Sequence, residues 1–362
     1  MRFHHFATRL RRQRGPTVIG IALLMVAFFT EITVARAQID ESTANVLPDA
    51  AGEGVALGKG LWLGGYLNIS GEVLQSAPAS IGLGDVGLLA RYEPTPPLAF
   101  FSEIDLEDTL TLKEGSGVTR GSKVLLLERL YADWSVSPTT TVRIGKFLTP
   151  FGLWNVIRRA PLTWTVDRPV ATQSAFAEHN TGLGLIYQTT RHGWTLDATG
   201  YGQAQDELVR GASDVSASAV AGGRIVGGRS LGSSYLSVGL SAIGFKNQDT
   251  HLWEDAYGSD VELTMCRHQL LGEFAYSHLR EPGASREWGF YLQDAWPLYG
   301  SLDGVARFEH TATRQGPVLD GGLLGIYWHA VPHVVVKADY QFSSHPQSDL
   351  QQGFLASVVF YF

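Results

Sequence analysis

Residues 334–342 read Val-Val-Val-Lys-Ala-Asp-Tyr-Gln-Phe. Val334, Val336, Ala338, Tyr340 and Phe342 alternate with Val335, Lys337, Asp339 and Gln341. Successive side chains of a strand leave opposite faces of the pleat, so this period of two marks a strand with one apolar and one polar face. A helix would need apolar spacings of three and four, and no long stretch beyond the N-terminal region keeps them.

Working outward, the same alternation returns in 98–107, where Phe100, Ile104 and Leu106 oppose Phe101, Glu103, Asp105 and Glu107. Sixteen such runs are found, near 60–70, 83–93, 97–106, 123–136, 139–147, 180–190, 193–203, 217–229, 233–245, 258–265, 268–279, 286–296, 301–311, 319–329, 332–343 and 351–362. Each is close to the roughly 9–11 residues that a tilted strand needs to cross a bilayer. Turn chemistry follows even-numbered runs, as in Glu93-Pro94-Thr95-Pro96, Ser137-Pro138 and Arg191-His192-Gly193. The longer segments 107–122, 148–179, 204–216 and 246–257 follow odd-numbered ones. That phase belongs to an all-β, transmembrane, antiparallel up-and-down β-barrel of 16 strands, here over residues 60–362.

The chain closes on Phe354-Leu355-Ala356-Ser357-Val358-Val359-Phe360-Tyr361-Phe362, an amphipathic strand with Phe354, Ala356, Val358, Phe360 and Phe362 on one face. A final aromatic at a lipid-facing position resembles the signature read by the barrel assembly machinery of outer membranes. Trp62, Trp134, Trp194, Trp288, Trp296 and Trp328 fall toward strand ends, where interfacial aromatic girdles are expected.

The N-terminus fits export. Arg2, Arg9, Arg11, Arg12 and Arg14 precede an apolar run over 18–29, and Ala35-Arg36-Ala37 is a small-x-small cleavage site. Residues 1–37 therefore read as a signal peptide, and 38–59 as a short periplasmic segment. Loss of the leader removes six Arg and one Glu and leaves 22 basic and 34 acidic residues, a net charge of −12 before counting His. Nucleic acid is excluded as a partner, since phosphate contacts need a clustered cationic surface. The single cysteine, Cys266, rules out an intrachain disulfide.

The stretch Arg143-Ile144-Gly145-Lys146-Phe147-Leu148-Thr149-Pro150-Phe151-Gly152 resembles the strand-to-loop segment of the phosphate-selective porin O and P group and its general porin relatives. Thr181 to Tyr187, Thr-Gly-Leu-Gly-Leu-Ile-Tyr, is similar to the strand that follows their long loop. The resemblance covers about residues 120–200 with any specificity. It implies a trimeric outer-membrane porin, embedded in lipid and lipopolysaccharide, that passes small hydrophilic solutes or ions by passive diffusion without a cofactor. It also implies that the long loop, 148–179, folds inward. Phosphate selectivity is not carried over. The charges assigned to inward faces comprise eleven acids and six bases, which argues for mild cation preference or neutrality.

The residues expected to line the pore or its constriction are Glu103, Asp105, Glu107, Arg129, Arg143, Arg158, Arg159, Arg168, Arg307 and Lys337. Arg158, Arg159 and Arg168 belong to the loop and are expected to face Glu103, Asp105 or Glu107 across the lumen. Phe151, Leu153, Trp154, Val156, Ile157, Trp164 and Phe176 give that loop apolar residues that need a wall to bury against.

Two other functions stay open: a lipase-like barrel hydrolase and a plugged structural barrel. Gly228-Arg229-Ser230-Leu231-Gly232 fits a nucleophile elbow, but it spans a strand–strand turn instead of a strand-to-helix turn. Gly82-Leu83-Gly84-Asp85-Val86-Gly87 has dinucleotide-loop spacing without a following helix. Ser277 and His278 are adjacent and point to opposite faces of a strand, which forbids a dyad. His329 and His333 flank a turn without a third ligand, so no metal is expected.

Overall fold

A computed structural model of the chain describes residues 54–120, 125–173, 175–209, 215–281, 286–314, 316–346 and 350–362. The proposed leader, its cleavage point and residues 38–53 lie outside the described residues. The strands in chain order begin with β1 (Val55–Gly58), β2 (Leu61–Leu74), β3 (Ser80–Thr95), β4 (Leu98–Lys113), β5 (Gly117–Arg120) and β6 (Leu126–Ser137). There follow β7 (Thr140–Leu148), β8 (His179–Arg191), β9 (Trp194–Gln203), β10 (Ala217–Leu231), β11 (Ser234–Asn247) and β12 (Trp253–Met265). The last six are β13 (His268–Leu279), β14 (Arg286–Tyr299), β15 (Leu302–Ala312), β16 (Val318–Val331), β17 (Val334–Ser343) and β18 (Gly353–Tyr361).

Leaving aside the four-residue β1 and β5, each strand pairs antiparallel with the next, and β18 pairs with β2. The result is a closed barrel of sixteen strands, as the alternation predicts. Closure matters physically: every ladder group has a neighbour, so no sheet edge meets the bilayer. Two features were not anticipated. The described end of the 38–59 segment is itself a strand, β1, laid against β2, and β5 extends β4 as a short hairpin.

The outside of the barrel is apolar and the inside polar. Leu88, Phe100, Leu130, Ile144, Leu183, Ile225, Leu240, Leu292, Leu324 and Phe354 are exposed, whereas Glu103, Glu273, Arg307, Glu309, Lys337 and Asp339 are buried. A soluble protein shows the reverse, and burial of so many charges requires a hydrogen-bonded interior. Trp134, Trp194 and Trp328 lie exposed toward the tight-turn end, and Trp253 and Trp288 toward the other. Trp62 departs from the girdle: it sits in register with Arg91, on the face that also holds Tyr66, and that face looks into the lumen.

Tight turns join the strands at one end. The turn between β12 and β13, Cys266-Arg267, has no residue that flags a turn in sequence, yet both take positive φ, 48° and 69°. A two-residue hairpin needs that handedness to match the strand twist, and here ordinary residues supply it.

Several inward or seam-facing rings lie flat on a glycine of the next strand. Tyr66 is in register with Gly87, Tyr201 with Gly222 and Trp296 with Gly304. A Cβ added at Gly87 would meet the Tyr66 ring at 2.1 Å. The Gly87→Val variant should therefore lose about 1–3 kcal/mol by overpacking. The check is the temperature at which folded, detergent-resistant protein converts to the unfolded electrophoretic form; an unchanged temperature would contradict the packing account.

Candidate functional site

The chain between β7 and β8, residues 149–178, runs inside the barrel. It carries two short 3₁₀ turns, Trp154–Val156 and Val170–Thr172. Phe151 and Phe176 anchor its ends: both are buried, and their rings stack at 4.2 Å between centroids. Phe151 also fills the space above Gly258 of β12, where a Cβ would come within 2.8 Å of its ring. Burial of two such rings contributes roughly 1.5–3 kcal/mol each.

Between those anchors the loop backbone is held by charged groups of the far wall. The amides of Leu153 and Trp154 donate to Glu273 of β13 at 3.1 and 3.2 Å. Val166 N–H donates to Asp339 of β17, and Val170 N–H to Glu309 of β15, each at 2.7 Å. The Lys337 ammonium donates to the carbonyls of Ala160 and Thr165 and to the Thr163 hydroxyl. Arg307 donates to Thr165 Oγ1 and to the carbonyl of Asp167. One segment that touches inward faces of β13, β15 and β17 after leaving β7 must cross the lumen.

This placement corrects the expectation for Arg307 and Lys337. They do not line open water; both are buried beneath the loop, and each donates to its backbone. The sequence marks them as inward-facing charges, but the path of the loop decides what they face.

The opposite side of the loop bounds a cavity of about 350 Å³ against β2, β3, β4 and β6. Here Arg159 Nε donates to Glu103 Oε1 at 2.9 Å, and Arg129 pairs with Glu103 Oε2. Both guanidiniums lie over the Phe101 ring, with centroid distances of 4.7 Å for Arg129 and 5.5 Å for Arg159. Arg158 bridges Glu128 and Glu178, and Arg168 reaches Glu178 at 3.2 Å. Burial alone would raise the Glu178 carboxyl, but the guanidiniums of Arg168 and Arg158 outweigh it and hold it below the ordinary carboxylate range. Beyond them, His179 lies between Glu128 and Glu207, and Glu207 pairs with Lys146 at 2.9 Å.

The loop arginines thus touch their carboxylates instead of facing them across open water. Of the three carboxylates expected opposite the loop arginines, Glu103 lies against Arg159, whereas Asp105 accepts from Tyr66 Oη at 3.0 Å. The side chain of Glu107 lies outside the described residues. Arg143 stands apart from the cavity, in a two-point pair with Asp133 at 2.8 Å and over the Tyr131 ring. Sequence reasoning missed Glu128, Glu178, Tyr66 and Asn68, which line the cavity. It also missed Asp260, which holds Arg224 by two hydrogen bonds of 2.8 and 2.9 Å. Alternation could have flagged Asp260, which lies within the run over 258–265 on the same face as Glu262. Ser277 accepts from Arg314 inside the barrel, while His278 packs with Tyr257 and Tyr276.

The chain matches no family model. It is 30% identical over 147 residues to an uncharacterized protein of Aquifex aeolicus (strain VF5), covering 40% of this chain and about a third (33%) of that one. Among solved structures, a loop-deletion mutant of OmpT, an outer membrane protein of Vibrio cholerae, superposes with a TM-score of 0.56 at 14% identity, covering 83% of this chain and 99% of that one. An anion-selective porin from Comamonas acidovorans gives 0.53 at 14% identity, over 83% and 99% of the two chains. The barrel shares its fold with these outer-membrane proteins. Salmonella typhi OmpF, in complex with daunomycin, is similar at 0.56 and 10% identity, over 84% and 98%. Identities this low speak for the fold and give no preference to a phosphate-selective type.

Proposed function

We infer that this protein is an outer-membrane porin that lets small hydrophilic solutes or ions diffuse passively, and that the β7–β8 loop forms its constriction. The observation that carries the reading is the loop itself, pinned to one wall by Glu273, Glu309, Asp339, Arg307 and Lys337 while its other face presents charges to the cavity of about 350 Å³. A sixteen-stranded barrel encloses more space than its own side chains fill, and a folded loop narrows it without closing it. The work is then physical, not chemical: polar groups on the passage lower the barrier to a hydrated solute. An exported chain beginning at Gln38, assembly by the barrel machinery, contact with lipopolysaccharide and a homotrimer all belong to this proposal.

Purified protein in a planar bilayer is expected to give open, ohmic conductance. A silent bilayer with folded protein would favour the plugged-barrel reading, in which the anchored loop is a stopper. Replacing Arg158 and Arg159 together with Ala should shift the reversal potential toward cations, by roughly twofold or more in permeability ratio, because Glu103, Glu128 and Glu178 each lose one counter-charge, Arg129 and Arg168 remaining beside Glu103 and Glu178. An unchanged reversal potential in a conducting channel would place these residues outside the ion path.

A further inference from the structure

On the outside of the wall, at the tight-turn end, two arginines flank a tryptophan. Arg191 of β8 is in register with Trp194 of β9, and Trp194 with Arg229 of β10, so the three stand in one row. All three are exposed. The row faces lipid: Leu183, Leu185, Tyr187, Leu196 and Ile225 share its parity along the same strands and are exposed, whereas Tyr201, on the other parity, is buried.

No acid shares that face. Asp197 is the one acidic residue in β8 through β11, and it points inward, where Gln188 donates to it at 2.6 Å. Three outward bases elsewhere have an acid of their own. Arg280 makes hydrogen bonds of 2.9 and 2.6 Å to Asp255, His268 lies 3.6 Å from Asp294, and His310 lies 2.6 Å from Asp320. Arg229 instead leans over the Trp194 indole, its Cζ 5.0 Å from the ring centroid, toward the strand that carries Arg191.

Neighbouring strands lie about 4.8 Å apart, which puts the two arginine Cα atoms about 10 Å from each other, each one spacing from Trp194. An arginine side chain outspans that spacing, so one phosphodiester at the edge of the indole is within reach of both. Guanidinium takes phosphate oxygens two at a time. The rows above decide what else the ligand carries. They hold Thr189, Leu196 and Gly227, then Tyr187, Ala198 and Ile225. A molecule seated here needs an anion at one end and hydrocarbon at the other, and tryptophan marks the headgroup level of a membrane. A zwitterionic headgroup would bring a further cation to a place that already has two.

We propose that Arg191, Trp194 and Arg229 form a binding site for the phosphate of an anionic phospholipid, in the leaflet that meets the tight turns. The proposal rests on the membrane-barrel reading and not on an open pore. Native mass spectrometry of the full-length barrel, released from micelles holding equal dioleoylphosphatidylglycerol and dioleoylphosphatidylcholine, counts the lipids retained. Phosphatidylglycerol is expected to be retained at least about fivefold over phosphatidylcholine. Arg191→Gln and Arg229→Gln should each weaken its retention about fivefold, the equivalent of about 1 kcal/mol per arginine at a membrane surface. Arg286→Gln, which removes an exposed outward arginine of β14 at the other rim, should leave it unchanged. The heat-dependent electrophoretic shift verifies that each variant is a folded barrel. Equal retention of the two lipids would overturn the proposal, as would an equal loss in Arg286→Gln, which would mean dispersed charge and no site. Displacement of phosphatidylglycerol by inorganic phosphate would overturn the lipid assignment, and so would stronger retention of added lipopolysaccharide. Current in a planar bilayer judges the channel separately: a silent barrel that keeps the lipid preference sinks only the channel, and a conducting one without it sinks only this site.

Discussion

Replacing residues 157–172 with a short Gly-Ser linker is expected to raise single-channel conductance roughly twofold or more, since the barrel wall alone encloses an aqueous channel. The excision spares Phe151, Phe176 and the amides of Leu153 and Trp154, so the loop ends keep their stack and their hold on Glu273. It removes the segment that occupies Asp339, Glu309, Arg307 and Lys337. Those charges would then face water, and in a water-filled lumen they can be hydrated, so the barrel should still fold. Current recordings decide the matter. The same conductance in both proteins would mean that the loop lies beside the ion path and does not narrow it.

The second large effect is at the C-terminus. Phe362 exchanges backbone hydrogen bonds with Gly65, its N–H donating at 3.0 Å and its carbonyl accepting at 3.2 Å. Its ring overlies Gly65, where a Cβ would come within 2.9 Å of it. Phe362 thus closes the final rung of the seam between β18 and β2. Its deletion is expected to cut the yield of folded barrel in the outer membrane several-fold. Two lost backbone bonds cost about 0.5–1.5 kcal/mol each, and Phe362→Ala keeps both. A charge at this lipid-facing strand end costs less than the roughly 2–4 kcal/mol of the midplane. If deletion and Phe362→Ala depress yield alike in cells while both refold normally in detergent, the ring acts as an assembly signal. Unchanged yield for the deletion would remove the seam from the account.

The strands were legible because a membrane barrel writes its two solvents into alternate residues. Val334 to Phe342 shows this most plainly: Val335, Lys337, Asp339 and Gln341 are all buried inward, as their alternation predicts. The Cys266–Arg267 turn was not legible, because positive φ there falls on residues that carry no turn signal. The site was legible only by parts. Glu103 and Arg159 could each be picked out, but their bond joins residues 56 apart in sequence, through a loop whose course no periodicity encodes. Glu128 was hidden by the irregular register between β4 and β6, which shifts between Glu103 and Ile104. Lys337 and Arg307 show the limit most clearly: facing inward is a property of the strand, whereas facing water is a property of everything else inside.

The rings seated on glycines bear on how this barrel finds its register. A slip of one residue turns a strand inside out and is rejected by the bilayer at once. A slip of two preserves every inward and outward assignment, so hydrophobicity is blind to it. The seats are not. Such a slip would set Tyr66 against Asp85 or Leu89, and Tyr201 against Val220 or Arg224, in place of Gly87 and Gly222. Near the opposite end of the chain, Trp296 would meet Leu302 or Ala306 where Gly304 now lies. Three bare positions on three seams thus work as a parity check, detecting the class of folding error that alternation cannot see.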